Sequence, residues 1–147
     1  MGSGEMKITE ILEYSIKIEH ESRLFYQKAA ETITDESVRP LLQELEEEEI
    51  KHETRLAGIL DSVKEGNASG FNRETLDQLI QNRVIAQDAT ALEVLQTALE
   101  REKHTRDFYG RVATLTNLAA DVVELFDMLF EQETGHVTRI SKKIERL

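Results

Sequence analysis

Two of the four histidines follow a glutamate by three residues, in Glu49-Ile50-Lys51-His52 and in Glu133-Thr134-Gly135-His136. Residues three apart on a helix share a face, so each motif can present a carboxylate and an imidazole to one point. Those donors suit a divalent metal: carboxylate oxygen and imidazole nitrogen, with no thiolate available because the chain has no cysteine. Two further glutamates, Glu19 and Glu102, interrupt otherwise apolar helical rows in the same way. Phase selects among crowded acids. In Glu46-Glu47-Glu48-Glu49 only Glu49 continues the row through Leu42 and Leu45 and lies three before His52; the other three read as solvated surface. By the same test Glu102 continues the row of Leu95 and Leu99, whereas Glu93 and Glu100 fall off it.

The motifs belong to an internal repeat. Glu49-x-x-His52-x-Thr54-Arg55-Leu56 matches Glu133-x-x-His136-x-Thr138-Arg139-Ile140 at an offset of 84, and Glu19 with Phe25-Tyr26 matches Glu102 with Phe108-Tyr109 at an offset of 83. A pseudo-twofold arrangement would bring four carboxylates and two imidazoles together. Burying four ionised carboxylates without compensation costs on the order of several kcal/mol per ion. Two divalent cations would supply the missing positive charge. Hard oxygen donors mixed with imidazole favour iron or manganese, and zinc also fits the set.

The elements that must position these residues follow from apolar spacings of three and four. A first helix is expected over about 6–33, with a row through Leu12, Glu19, Tyr26 and Ile33. A second, over about 36–65, carries Val38, Leu42, Leu45, Glu49, His52, Leu56, Ile59 and Val63, with Asp35 as its cap and Pro40 in its first turn, where a missing N–H does least harm. Residues 66–70 read as a loop, and 71–88 as a connection holding one short helix capped by Asn72, with Leu76, Leu79 and Ile80 on its apolar side. A third helix over about 89–116 carries Leu92, Leu95, Leu99, Glu102, Tyr109 and Val112. A fourth over about 118–146 carries Val122, Phe126, Leu129, Glu133, His136, Ile140 and Leu147. The expected fold is all-α: a four-helix bundle with a long crossover, containing a short helix, between helices two and three. One domain is expected over 5–147, with Met1 to Gly4 an expression remnant.

Two single glutamates plus two Glu-x-x-His motifs on four helices resemble the ferritin-like superfamily, and within it most closely the rubrerythrin helical domain, over nearly the whole chain. That resemblance implies a dimetal site, two iron ions or alternatively manganese or zinc, with Glu19, Glu49, His52, Glu102, Glu133 and His136 as ligands and Glu49 and Glu133 as bridges. Tyr26 and Tyr109 resemble the family's tyrosines beside the metals, able to hydrogen-bond a ligand carboxylate or donate to peroxide. Two features depart from the family pattern. Typical rubrerythrins append a rubredoxin domain with four cysteine ligands, so a chain without cysteine implies an external electron donor such as a rubredoxin-like protein. They also carry a glutamate three residues after the third-helix ligand, where Thr105 stands here.

The expected function is therefore a non-haem di-iron or di-manganese oxidoreductase reducing peroxide or dioxygen. Two other functions suit the same residues: a ferritin-type ferroxidase handling iron, or a non-enzymatic, metal-stabilised interaction bundle. Composition narrows the partners. Eighteen basic against 29 acidic residues give a net charge of −11, which opposes nucleic acid and anionic membranes. No apolar run approaches the roughly 18 residues of a membrane span, and no signal peptide precedes the first helix, so a soluble cytoplasmic protein is expected. A homodimer, by exchange of helix pairs through the long connection, would form readily. His20 and His104 fall outside the rows and read as exposed, and Arg55 and Arg139 as surface ion-pair partners.

Overall fold

The computed structural model describes residues 5–63, 67–74, 88–115 and 117–147, with backbone alone for 67–70. Four long helices dominate: α1 (Ile8–Thr32), α2 (Arg39–Ser62), α3 (Ala91–Ala113) and α4 (Ala120–Glu145), with short strands β1 (Glu5–Lys7) and β2 (Asn67–Asn72). α1 packs mainly on α2 and α3 mainly on α4, so the bundle is two helical hairpins facing each other. Residues 1–4, and most of the short helix expected after Asn72, lie outside the described residues.

The ends of the helices show where local signals act and where they are overridden. β1 and β2 pair antiparallel, Glu5 opposite Asn72 and Lys7 opposite Asn67. Residues 67–70, expected to be loop, are therefore extended, and α1 begins at Ile8 instead of 6. The cause is non-local: a partner some sixty residues away in sequence supplies the backbone hydrogen bonds, which local composition cannot register. Glu10 accepts the Lys7 N–H at 2.8 Å and satisfies one free donor at the start of α1.

Asp35 is not the cap of α2. Its carboxylate instead accepts from the backbone N–H and the hydroxyl of Ser37, at 2.9 and 2.6 Å, folding a turn before Val38, the residue that precedes the helix. Pro40 sits in the first turn, as its missing donor predicts. Arg39 ties the hairpin shut: its guanidinium donates to the carbonyls of Ala30 and Ile33 at 2.8 and 2.5 Å, filling acceptors that the end of α1 leaves open. α3 begins with a capping box, in which Glu93 N–H donates to Thr90 Oγ1 and Thr90 N–H to Glu93 Oε1, both at 3.2 Å.

The apolar core comes in two clusters. One gathers Ile11, Leu12, Leu56, Phe71, Phe108, Tyr109, Phe126 and Leu129; the other gathers Tyr26, Ile33, Leu42, Leu45, Leu95, Ala98 and Ile140. The rows expected on α1 and α2 are buried, except for the last two positions of α2, Ile59 and Val63, which are partly buried. The α4 row is buried as far as Ile140, whereas Leu147 lies beyond the helix and is exposed. On α3 the buried face is centred near Ala98 and Thr105. Leu92, about 120° around the helix from Ala98, points outward, and Leu99 is only partly buried. Among the described residues no helix is long and apolar enough to cross a membrane.

Phe71 is the residue through which β2 closes one end of the bundle, fully buried with its ring 5.9 Å from that of Phe108. Phe71→Ala removes a large buried ring and should cost about 3–5 kcal/mol of stability by urea unfolding. Metal bound per folded chain should not change, and a loss below about 1 kcal/mol would show that β2 does not anchor the core.

Candidate metal centre

Between the two apolar clusters lies a layer of six polar side chains, one or two from each helix: Glu19 on α1, Glu49 and His52 on α2, Glu102 on α3, Glu133 and His136 on α4. None is more than 2% exposed. All six residues singled out by spacing therefore meet at one level of the bundle. Their atoms form two groups, Glu19, Glu49, His52 and Glu133, and Glu49, Glu102, Glu133 and His136, and within each group one donor atom per residue lies within 4.8 Å of the others. Glu49 and Glu133 are common to both.

Each imidazole turns Nδ1 inward. His52 Nδ1 lies 3.4 Å from Glu19 and 3.3 Å from Glu133; His136 Nδ1 lies 3.4 Å from both Glu49 and Glu133 and 3.5 Å from Glu102. These are contacts of charge and proximity without hydrogen-bond alignment. The two rings face each other at 5.7 Å, inclined by 15°. Seven buried atoms of the layer have no hydrogen-bond partner: Glu19 Oε2, Glu49 Oε1, both oxygens of Glu133, Nδ1 of His52, and both nitrogens of His136. A buried layer with this many unpartnered lone pairs is costly by itself. Oxygen and nitrogen donors converging without mutual hydrogen bonds are what a pair of cations requires, so the residues present fit a dimetal group.

The electrostatics agree. Burial, then the charges on Glu19 and Glu102, push the Glu49 carboxyl well above the ordinary carboxylate range. Burial alone would lower the His136 imidazole, but Glu102 and Glu49 beside it outweigh that and lift it to about 11. Glu19 is held below its ordinary value: burial would raise it, but the close approach of Glu49 and His52, the charge of His52 and the hydroxyl of Tyr109 prevail. Without metal, the layer thus favours the protonated forms of Glu49 and His136.

Tyr26 and Tyr109 contact the layer across the bundle. Tyr26 donates its hydroxyl to Glu102 Oε1 and Tyr109 donates to Glu19 Oε1, each to the single glutamate of the other hairpin. Burial and then the facing glutamate push both phenols well above their usual value, so both remain donors. Thr105 is buried, but its hydroxyl is spent on Arg101 O at 3.0 Å. His20 is exposed and His104 half-buried, where exposure was expected for both.

Two residues, Glu48 and Gln132, escaped the reading of the sequence. Glu48, assigned there to solvated surface, places Oε2 3.3 Å from His136 Nε2 and accepts from Arg139 Nη1 at 2.7 Å. Arg139 also reaches Glu44 at 2.5 Å, which makes it the ion-pair partner expected. Arg55 is not: it contacts Met128 Sδ and has no carboxylate partner among the described residues. The outer nitrogen of His52 is hydrogen-bonded to Gln132 Oε1. The offset of 84 pairs Glu48 with Gln132, and applying it one position before each motif would have drawn attention to both.

Because metal ligation needs neutral imidazole and ionised carboxylate, cations must displace the protons on Glu49 and His136. Loading with a divalent metal should release protons, that of His136 included near neutral pH, and affinity should rise with pH. Calorimetric titration in buffers of different ionisation enthalpy measures the release, and a pH-independent affinity would show that the layer is not protonated in this way.

The Rubrerythrin family model matches residues 10–144. Two solved structures share the fold. A two-domain protein from Anabaena variabilis, containing DJ-1/ThiJ/PfpI-like and ferritin-like domains, aligns at 15% identity over 95% of this chain with a TM-score of 0.72. This chain spans 36% of that protein. A hypothetical protein from Pyrococcus furiosus aligns at 23% identity with a TM-score of 0.70, over 93% of this chain and 87% of its own. No curated protein matches at a significant level. On the family match across residues 10–144, the chain belongs to the rubrerythrin family of the ferritin-like superfamily.

Proposed function

We propose that this chain is a dimetal oxidoreductase that reduces hydrogen peroxide, or dioxygen, with electrons from a separate donor protein. The observation that carries the reading is the interlocking of two four-residue groups through Glu49 and Glu133, which gives two adjacent cation positions with common carboxylates. Glu19 and His52 complete one position, and Glu102 and His136 the other. The donor set of oxygen and imidazole favours iron or manganese. When bound, a redox-active pair of this kind supplies the two electrons that cleave the O–O bond of a peroxide.

The protein's own contribution is positioning. Tyr26 and Tyr109 hold Glu102 and Glu19, the two glutamates belonging to only one position each, and fix one oxygen of each. The raised phenol values keep these protons on the tyrosine oxygens, so the clamps persist as the charge of the layer changes. The apolar clusters on either side exclude bulk water, which strengthens every charge interaction within the layer. Gln132 and Glu48 sit against the outward nitrogens of the two histidines.

Anaerobic titration with ferrous iron should saturate at two ions per chain. Stopped-flow absorbance should then show faster oxidation by hydrogen peroxide than by dioxygen. Glu49→Ala and Glu133→Ala should each reduce the stoichiometry below two and abolish the fast phase. Faster reaction with dioxygen would assign the chain to ferroxidase chemistry, and failure to bind more than trace iron, manganese or zinc would overturn the dimetal reading.

A further inference from the structure

The two halves of the layer carry the same inner donors, but three pairs of side chains that the repeat places behind the histidines differ by two charges in sum. Behind His136 are Glu48, Arg139 and Glu44: two carboxylates around one guanidinium, with a net charge of −1. Behind His52, the repeat places Gln132, Arg55 and Met128 at the equivalent positions, 84 residues away in each case, with a net charge of +1. The geometry is conserved across the repeat. Arg139 of α4 reaches back to α2, and Arg55 of α2 reaches back to α4, but Arg139 finds two carboxylates where Arg55 finds a thioether. Glu48 and Arg139 of the first group and Gln132 and Arg55 of the second line a single cleft of about 390 Å³ between α2 and α4, together with Lys51 and the outer edges of both imidazoles.

A carboxylate behind a metal-bound imidazole strengthens the ligand, because it stabilises the positive charge that the ring acquires on coordination; a neutral amide fixes the ring without adding charge. Arg139 offsets part of the charge on Glu48, but Glu44 in turn offsets Arg139. Arg55 forms no ion pair with a carboxylate among the described residues, so its charge opposes a cation beside His52.

We propose that Glu48 and Glu44, acting with Arg139, make the metal position at Glu102 and His136 the tighter and first-filled of the two, and that Gln132, Arg55 and Met128 leave the position at Glu19 and His52 weaker and more readily vacated. Glu48 and Gln132 are thus positioning residues that set the order of loading in an inner site of near twofold symmetry. This inference rests on the dimetal reading above, and its test separates the two.

The probe is cobalt(II) alone, added anaerobically to the intact chain. One equivalent, followed by anomalous diffraction at the cobalt edge, should place most of the metal beside His136 in the wild type. Glu48→Gln should weaken the first binding step by about 10- to 100-fold and bring the two occupancies toward parity. Gln132→Glu should tighten the second step, and the double exchange E48Q/Q132E should transfer the first-filled position to His52. Equal occupancy at one equivalent in the wild type, or an unchanged distribution in E48Q, overturns the inference while leaving a two-metal site intact. A chain that takes up fewer than two cobalt ions at saturation overturns the dimetal reading and this inference with it.

Discussion

Four glutamates and two histidines buried at one level of a helical bundle are a constraint to which the rest of the structure conforms. Such a layer contributes no apolar contact, and its charges repel one another in a medium that screens them poorly. The bundle accommodates it by packing full apolar clusters on both sides, so that the helices are held by Leu12, Leu56, Phe108 and Phe126 at one end and by Leu42, Leu45, Leu95 and Ile140 at the other. The polar layer is thereby fixed in position by side chains that have no part in its chemistry. The layer favours protonation of Glu49 and His136, which relieves the repulsion when no cation is present, and a cation must displace such protons.

The two tyrosines join the apolar clusters to the layer. Each ring belongs to one cluster, and each hydroxyl crosses to a glutamate of the opposite hairpin. Packing therefore aims the carboxylates: a shift of one hairpin against the other would break both hydrogen bonds together. Rigid support of this kind is what allows donors to be left unpartnered without local collapse onto one another.

Symmetry governs the inner donors but not what stands behind them. The repeat keeps every residue that could touch a cation and changes those one step outward, Glu44 to Met128 and Glu48 to Gln132. Inner residues are bound by coordination chemistry, which admits few substitutes. Outer residues tune the strength of a ligand by charge and can differ between halves without dismantling either position.

Much of this was legible in the chain itself. Helical period and the repeat placed six donor residues on four inward faces, because a buried charge stands out against leucine and isoleucine in a row of fixed phase. The helix count, Pro40 in a first turn and both tyrosines near the layer followed from the same phase. What the sequence could not decide depended on partners distant along the chain. Residues 67–72 became a strand because Glu5–Lys7 lay within reach. Asp35 turned to Ser37 instead of capping α2, and Leu92 pointed outward because the buried face of α3 was set by the helices against it. Glu48 looked like one surface acid among several until α4 brought His136 and Arg139 to it. The sequence by itself determined which donors face inward, since that is a property of one helix at a time; only the tertiary structure decided which carboxylate faces which histidine, since that depends on how two helices meet.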